Sequence, residues 1–365
     1  MTVMTADTMS PWASLSRETR NRALVRRWLY AVLFLLFALV LIGGATRLTD
    51  SGLSITEWKP IHGVIPPLSD ADWQAEFGKY KQIPEFSTIN PDMDLAGFKT
   101  IFWWEWGHRF LARLIGVAFA VPFAFFWATG RIESRLAPKL LGILALGGLQ
   151  GFIGWWMVSS GLVDRVDVSQ YRLAIHLTLA ALIFSAVMAV ARGLAPHSEA
   201  PASGEARVMS GFIVAGLLVQ IFFGGIVAGL DAGLAYNTWP LMGGAFVPQG
   251  LFVLDPAWRD LFETPKTAQF VHRAIAYGLL AIALWHMIAA LAHEKARTHA
   301  RRAVVLFALV LAQAALGVTA LLLAAPLHAA LAHQAMALIV LAFAVAHWRG
   351  TKGSYPPATT VVERH

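Results

Sequence analysis

The chain has 365 residues, 57% of them hydrophobic and only 14% charged, with no cysteine and a formal net charge of +7. A soluble globular chain carries about 25% charged residues, so this composition argues against a soluble domain. The lack of cysteine excludes disulfides, cysteine-bound iron–sulfur clusters, thiol catalysis and haem attached through Cys-x-x-Cys-His.

The chain begins with a polar segment, residues 1–27, which is expected to be a mobile cytoplasmic arm. An uncharged run follows at residues 28–46 and exceeds the roughly 18 residues that argue for a bilayer-spanning helix. Residues 47–100 form a long exterior loop rich in aromatic residues and proline, and we expect it to fold down as a lid over the outer ends of the helices. Within this loop, residues 70–80 are predicted to form a short amphipathic helix capped by Ser69, with an acid in its first turn.

Further spans are predicted from later apolar runs. The second helix is predicted to begin near Trp104. The later runs cover residues 139–159, 173–191, 208–230, 274–293 and 303–348. The last run carries no charge, is long enough for two helices and breaks near Ala325-Pro326. The chain is therefore predicted to be an all-α integral membrane protein with eight transmembrane helices.

A stretch rich in Pro, Ala, Ser and Gly, residues 195–206, is interpreted as a cytoplasmic linker. It separates an N-terminal four-helix half, residues 28–194, from a C-terminal four-helix half, residues 207–348, and residues 349–365 form a cytoplasmic tail. Segments on the side of the termini carry most of the Lys and Arg, whereas the other side has more acids than bases. The positive-inside rule therefore places both termini in the cytoplasm and assigns the basic residues to topology and membrane lipid, with no nucleic acid partner.

The second half repeats the frame of the first. Positions at the end of the first helix and just beyond it recur with the same spacing around the end of the fifth: Gly43-Gly44, Asp50, Gly52 and Trp58 match Gly224-Gly225, Asp231, Gly233 and Trp239. Gln150 and Gly154 likewise match Gln313 and Gly317. Because each repeat has four helices, both halves enter the membrane in the same sense. We therefore expect two tandem four-helix bundles related by a pseudo-twofold axis along the membrane normal.

Four histidines occupy matched positions in this frame, with His108 matching His272 and His176 matching His333. Each is expected in the first turn or two of a helix that begins on the exterior side. Neutral imidazole is a common metal ligand and a usual axial ligand of haem iron. The alternative, an interhelical hydrogen bond, is the commoner role of a single membrane histidine, but four at matched depth favour ligation. The other histidines are assigned structural or surface roles or left out of the site: His62, His197, His286, His293, His299, His328, His347 and His365.

One position differs between the two histidine-arginine motifs. Glu105 lies one turn before His108, whereas Gln269 takes the same place in the second half, so only the first pocket has an acid for chemistry. A helix-dipole interaction is the structural alternative for Glu105, but its place beside a candidate haem ligand favours acid–base work. Arg109 and Arg273 are candidates to pair with haem propionates, since Arg binds carboxylates in bidentate fashion.

These residues resemble a known family. The segments Gly-Gly-Ala-Thr-Arg-Leu-Thr-Asp-Ser-Gly-Leu-Ser at 43–54 and Glu-Trp-Gly-His-Arg at 105–109, with the histidines of the second half, are similar to haem A synthase over about residues 28–348. The resemblance implies an oxidase-assembly oxidoreductase of the cell inner membrane that converts the C8 methyl of haem O to the formyl group of haem A by successive oxidations. Some members carry a cysteine pair in the exterior loops, whereas this chain resembles the Cys-free branch of mitochondria and alphaproteobacteria.

The resemblance also implies roles for individual residues. It implies a haem b cofactor held by His272 and His333, with haem O received near His108 and His176 and with Glu105 essential to catalysis. Haem O synthase, oxidase assembly factors and an electron donor are the implied partners. A second function stays open from the residues: a quinol-linked di-haem b membrane cytochrome that only passes electrons and does not need Glu105. The histidines disfavour a third, a pseudo-symmetric transporter.

Overall fold

The structure is a computed structural model that describes residues 11–59, 62–163, 165–196 and 199–353. Within these residues the chain is helical and contains no β-strand beyond one isolated bridge. In chain order the α-helices are α1 Pro11–Leu48, α2 Asp70–Tyr80, α3 Pro84–Thr88, α4 Leu95–Ala128, α5 Ala137–Val158, α6 Gln170–Gly193, α7 Gly204–Gly229, α8 Asp260–Glu263, α9 Pro265–His293, α10 Arg297–Leu322 and α11 Leu327–Gly350.

Eight of these helices are long and apolar enough to cross a membrane, judged by length and composition over the described residues. They are α1, α4, α5, α6, α7, α9, α10 and α11. The predicted class, an all-α multi-pass membrane protein with eight spans, is confirmed.

The eight long helices pack as two rings of four. In the first half α1, α4, α5 and α6 each contact the next and α6 returns to α1; in the second half α7, α9, α10 and α11 close in the same way. The halves meet where α6 packs on α7 and α1 packs on α11, which are equivalent contacts when the halves are exchanged. The main core lies at this junction and includes the fully buried Leu29, Val187, Ile213 and Leu341. This contact pattern agrees with the predicted pseudo-twofold relation.

Helix α1 begins well before the predicted span. Residues 11–27, expected to be a mobile arm, continue the helix instead. Arg22 in this extension pairs with Glu18 one turn away at 3.2 Å and with Glu133 in the α4–α5 loop at 2.5 Å. Charged residues end a hydropathy signal but not a helix, because they have good helix propensity and find partners one turn away. Residues 1–10 and 354–365, with His197 and His365, lie outside the described residues.

The long exterior loop contains the predicted short helix. In α2 the Ser69 side chain accepts a hydrogen bond from the backbone N of Asp72 at 3.1 Å, and the Asp72 carboxylate accepts from the backbone N of Ser69 at 3.0 Å. This reciprocal capping box confirms both the helix and its cap. Aromatic residues then fasten the loop to α4, where the ring of Phe77 stacks on Phe98 with centroids 5.0 Å apart.

Helix α4 begins at Leu95, capped by Asp94, and not near Trp104 as predicted. The extra turns present Phe98, Ile101 and Phe102 to the exterior loop, and all three are buried. Lys99 and Thr100 had ended the apolar run in the sequence. Thr100 is exposed and Lys99 places its ammonium over the ring of Trp73 in the loop, so the hydropathy signal stopped while the helix continued.

Candidate functional site

Each of the four matched histidines lies against a glycine of a neighbouring helix. A methyl group built on Gly43 would stand 2.9 Å from Nε2 of His108, closer than such atoms approach without a shift. The contact recurs at Gly154 with His176, at Gly224 with His272 and at Gly317 with His333. These glycines leave the space in which the imidazoles lie, because any side chain there would press on the ring.

The two histidines of each half belong to different helices of the same ring. His108 lies on α4 and His176 on α6, and in the second half His272 lies on α9 and His333 on α11. Because α4 begins at Leu95, His108 lies in about its fourth turn, farther from the start of the helix than the first turn or two expected from the sequence. The other three lie in the second or third turn of their helices.

Three of the histidines share a glutamine contact that the sequence analysis did not assign. The Gln220 Nε2 atom lies 3.1 Å from both ring nitrogens of His272 and donates to the backbone O of His272 at 3.1 Å. The same contacts join Gln150 to His176 and Gln313 to His333. Gln150 and Gln313 stood out in the sequence only as repeat markers. Gln220 has no glutamine counterpart in the first half, so the repeat comparison passed over it.

The side-chain oxygen of each of these three glutamines makes no hydrogen bond within the part of the chain that the structure describes. Oε1 of Gln150, Gln220 and Gln313 is buried without a hydrogen-bond partner among the described residues. Amide N and O positions are assigned from the surrounding hydrogen bonds. Turning the amide would bring Oε1 to the ring as an acceptor for an imidazole N–H, and would give up the bond to the backbone O of the histidine. A metal-ligating histidine usually makes such a bond with its second nitrogen, so these residues fit haem ligation.

Glu105 is 2% exposed and both of its oxygens are bonded. Oε2 accepts from Oγ of Ser54 and from the backbone N of Ile55, each at 2.8 Å, and Oε1 pairs with Arg109 at 2.6 Å. Three donors around an acceptor-only group match an ionised carboxylate. The helix-dipole alternative does not describe this site, because Glu105 lies well past the first turn of α4.

The second half builds the same arrangement around an amide. Gln269 is 3% exposed, donates from Nε2 to the backbone O of Ala232 at 2.7 Å and accepts from Arg273 at 2.9 Å. The arginine contact is therefore conserved within the molecule, while the negative charge is present in one half alone. Ser54 and Ile55, which hold the carboxylate of Glu105, were not singled out from the sequence.

Arg109 and Arg273 tie the exterior loops to the helices in both halves. Arg109 donates to the backbone O of Ile55 at 2.8 Å and of Glu57 at 3.1 Å. Arg273 donates to the matching carbonyls of Tyr236 and Thr238 at 2.8 and 2.9 Å. A guanidinium has five donors, so each keeps capacity for a propionate. The Nε of Arg273 is buried without a partner among the described residues.

Other histidines pack at the far ends of the second-half helices. Nε2 of His286 lies 2.8 Å from Nε2 of His347, and Nε2 of His299 donates to the backbone O of Ala200 at 2.8 Å. All three are about 1% exposed, which matches the structural roles expected for them. The part of the chain that the structure describes holds no cluster of three or more His, Cys, Asp or Glu side chains able to bind a free metal ion.

The chain is similar to curated proteins along nearly its whole length. It is 64% identical to a haem A synthase of Mesorhizobium japonicum over 97% of this chain and 98% of that protein. It is 67% identical to a haem A synthase of Chelativorans sp. over 92% of this chain and 93% of that protein, and 63% identical to one of Sinorhizobium medicae over 96% of each. Residues 26–345 match the family described as cytochrome oxidase assembly protein. Because that match covers both four-helix halves and the relatives share most of their residues with it, the chain belongs to the cytochrome oxidase assembly protein family that includes these haem A synthases.

Proposed function

We propose that this protein is a haem A synthase, an oxidoreductase that oxidises the C8 methyl of haem O to the formyl group of haem A for terminal oxidase assembly. The observation that carries the proposal is the difference between Glu105 and Gln269 in otherwise matching arginine frames. Two pockets built alike, of which one holds a buried carboxylate, fit a protein that keeps one haem and changes another. The names of the relatives point to the same activity.

The second half is proposed to hold a resident haem b. His272 and His333 would ligate its iron, Gln220 and Gln313 would lie beside their rings, and Arg273 would pair with a propionate. A haem held this way supplies one-electron redox chemistry. The glycines opposite both histidines support this assignment because they provide room for the imidazoles, and the unpartnered amide oxygens would serve as acceptors for the rings if the amides are turned.

The first half is proposed to receive the substrate, haem O, between His108 and His176. Its helices leave more room, because α4 packs on α5 much less extensively than α9 packs on α10. Gly147 on α5 is exposed, whereas its counterpart Val310 on α10 is 5% exposed. A half that must admit and release a large ligand benefits from looser packing, and a half that retains one benefits from the closer contact.

Glu105 is proposed to handle protons at the reacting methyl. Oxidising a methyl to a formyl group is a four-electron change that moves protons as well as electrons. A carboxylate near the substrate ring can accept or donate those protons. Ser54, Ile55 and Arg109 hold the carboxylate in one orientation. The exterior loop that supplies two of these contacts also helps to shield the pocket from water.

The protein is proposed to lie in the cell inner membrane with both termini in the cytoplasm, as the distribution of Lys and Arg favours. The histidine sites then lie toward the outer face. Haem O synthase would deliver the substrate, oxidase assembly factors would take the product, and an electron donor would take part in the reaction.

The test is pigment extraction from cells that make haem O, with and without this chain. A haem with the red-shifted spectrum of a formyl group is expected only with the chain. Two permanently bound and spectrally alike haems with no formyl product would indicate the electron-transfer cytochrome instead. In the purified protein, His272→Ala or His333→Ala is expected to remove most of the haem b, and normal haem content in both variants would refute the ligand assignment.

A further inference from the structure

The fourth histidine lacks the glutamine that the other three have. Gln220 precedes Gly224 on α7 by one helical turn, and the residue that precedes Gly43 on α1 by the same turn is Leu39. Leu39 packs against the main apolar core. No hydrogen bond from the described residues reaches the imidazole of His108. The two pockets therefore differ beside their histidines as well as at the Glu105 position.

The missing glutamine removes two kinds of contact. Gln220 ties α7 to α9 through the backbone O of His272, and Gln150 and Gln313 make the corresponding ties between their own helix pairs. Alternatively, each amide can be turned so that its unpartnered Oε1 accepts a hydrogen bond from the imidazole, and the bond to the backbone O is then lost. Neither contact is available to His108, because a leucine side chain has no donor or acceptor.

We propose that Gln220, Gln313 and Gln150 are positioning residues that fix the imidazoles of the iron-ligating histidines, and that Leu39 leaves His108 as an exchangeable ligand. The inference rests on the proposed function in that it takes haem as the ligand of both pockets. The second pocket, with both ligands supported, retains its haem. The first pocket, with one ligand supported, holds its haem weakly enough to release it.

The physical basis is the control that a second hydrogen bond exerts on a ligating imidazole. An acceptor at one ring nitrogen selects the tautomer that leaves the other nitrogen free for iron, holds the ring in orientation and makes it a better donor. Removing such an acceptor typically weakens metal binding by about 10- to 100-fold. A substrate site benefits from that weakness, since a ligand bound as tightly as a cofactor would not leave as product.

The experiment exchanges the two side chains across the repeat in the full-length protein. Gln220→Leu and Leu39→Gln are compared with the wild type and with Gln170→Leu. Gln170 is a matched control because it is buried and donates to a backbone carbonyl, that of Phe262, without touching any of the four histidines. Each protein is loaded with haem b as the probe, and the rate of haem transfer to excess apomyoglobin is followed by absorbance.

In the wild type, haem is expected to leave in a fast phase from the first pocket and a slow phase from the second. Gln220→Leu should speed the slow phase by roughly 10- to 100-fold, and Leu39→Gln should slow the fast phase by a similar factor. Gln170→Leu should change neither. Unchanged slow-phase loss in Gln220→Leu would overturn the inference. Should Leu39→Gln fail to fold, Gln150→Leu tests the same pocket and should speed the fast phase further.

A second variant separates an acceptor at the ring from a simple tie between helices. Gln220→Glu keeps an oxygen acceptor but cannot donate to the His272 carbonyl. If the acceptor matters, this variant should retain haem and shift its midpoint potential downward, because an anionic acceptor strengthens the imidazole as a donor. If only the tie matters, Gln220→Glu should lose haem as fast as Gln220→Leu, which would refute the positioning role. A wild type that binds no haem would instead refute the proposed function.

Discussion

The carboxylate of Glu105 and the amide of Gln269 differ by one group in the same surroundings. Both side chains accept from an arginine one turn later, which itself holds two loop carbonyls. Only Glu105 also receives a hydroxyl and a backbone N–H on its other oxygen. The exterior loop of the first half has thus adapted to hold a charge, which a purely structural contact would not require.

Replacing Glu105 with Gln tests whether that charge is used. Gln keeps the size of the side chain and the arginine contact that Gln269 already makes in the second half. We expect haem A formation to fall by roughly 100-fold or more, the range typical for removing an acid–base group, while haem b content stays normal. Haem extracts of cells and the haem content of purified protein measure the two quantities.

The control is Glu57→Gln, in the same loop. Glu57 offers Arg109 only its backbone carbonyl, so its carboxylate can be removed without disturbing that contact. Normal haem A production in Glu57→Gln together with loss in Glu105→Gln is expected. Normal production in Glu105→Gln would mean that the carboxylate is not catalytic.

Glu85 is a second buried carboxyl group, outside the membrane helices. It is 4% exposed, and its Oε2 has no partner among the described residues. Burial raises the pKa of Glu85 from 4.5 to about 8, with repulsion from Glu105 and Asp167 adding to the effect. In the unfolded chain the group ionises at its ordinary pKa. The folded state is therefore favoured below pH 4.5 and loses this contribution as the pH rises toward 8.

Glu85→Gln mimics the protonated form and should remove that loss. We expect the variant to unfold at a higher temperature than the wild type at pH 8, with the difference shrinking toward pH 5. Glu57→Gln should behave differently, because hydrogen bonds from Lys59 and then Lys79 lower the pKa of Glu57. A pH-independent difference between Glu85→Gln and the wild type would show that Glu85 is not protonated in the folded protein.

At the scale of helices, the features that depend on neighbouring residues in the chain could be predicted from the sequence. The features that depend on contacts between distant residues could not. The α2 helix and its Ser69 cap were predictable because a capping box is read from neighbouring residues. The start of α4 was not, because Phe98 is helical on account of aromatic rings that lie more than fifteen residues earlier in the chain. The histidines followed from the repeat, whereas Gln220 did not, because its counterpart Leu39 breaks the repeat.

The aromatic contact between the exterior loop and α4 should be essential for the order of the loop. Phe98 is fully buried and its ring lies near those of Phe77, Tyr80 and Trp73. Phe98→Ala removes this packing at a cost of about 3–5 kcal/mol. We expect faster amide hydrogen exchange across α2 and quicker proteolysis in the loop, with α7 unchanged.

The exposed Phe246 provides the matched control for this variant. It is 77% exposed, so Phe246→Ala removes a phenyl ring without opening the core. Its exchange pattern in α2 should equal that of the wild type. Equal exchange in Phe98→Ala would mean that the loop is held by contacts other than the aromatic cluster.

At the scale of the whole molecule, one arginine joins the two halves on the side that carries the 47–100 loop. Arg47, at the end of α1, pairs with Asp50 of its own half at 3.1 Å and with Asp231 of the other half at 3.0 Å. It also donates to the backbone O of Ala228, the residue that occupies its own position in the second half. Two equivalent positions can touch each other only where they lie beside the twofold axis. At this point a single arginine side chain therefore bonds to residues of both halves.

This arrangement predicts that the arginine can be moved from one half to the other. Arg47→Ala should lower the unfolding temperature by a few degrees, since the aspartates are about half exposed and a partly exposed network contributes about 1 kcal/mol. Adding Ala228→Arg should restore much of the loss, because an arginine at 228 faces the same two aspartates from the equivalent side. Both effects should weaken at high salt. If the second substitution fails to recover stability at low salt while the protein stays folded, positions 47 and 228 do not face each other across a twofold axis.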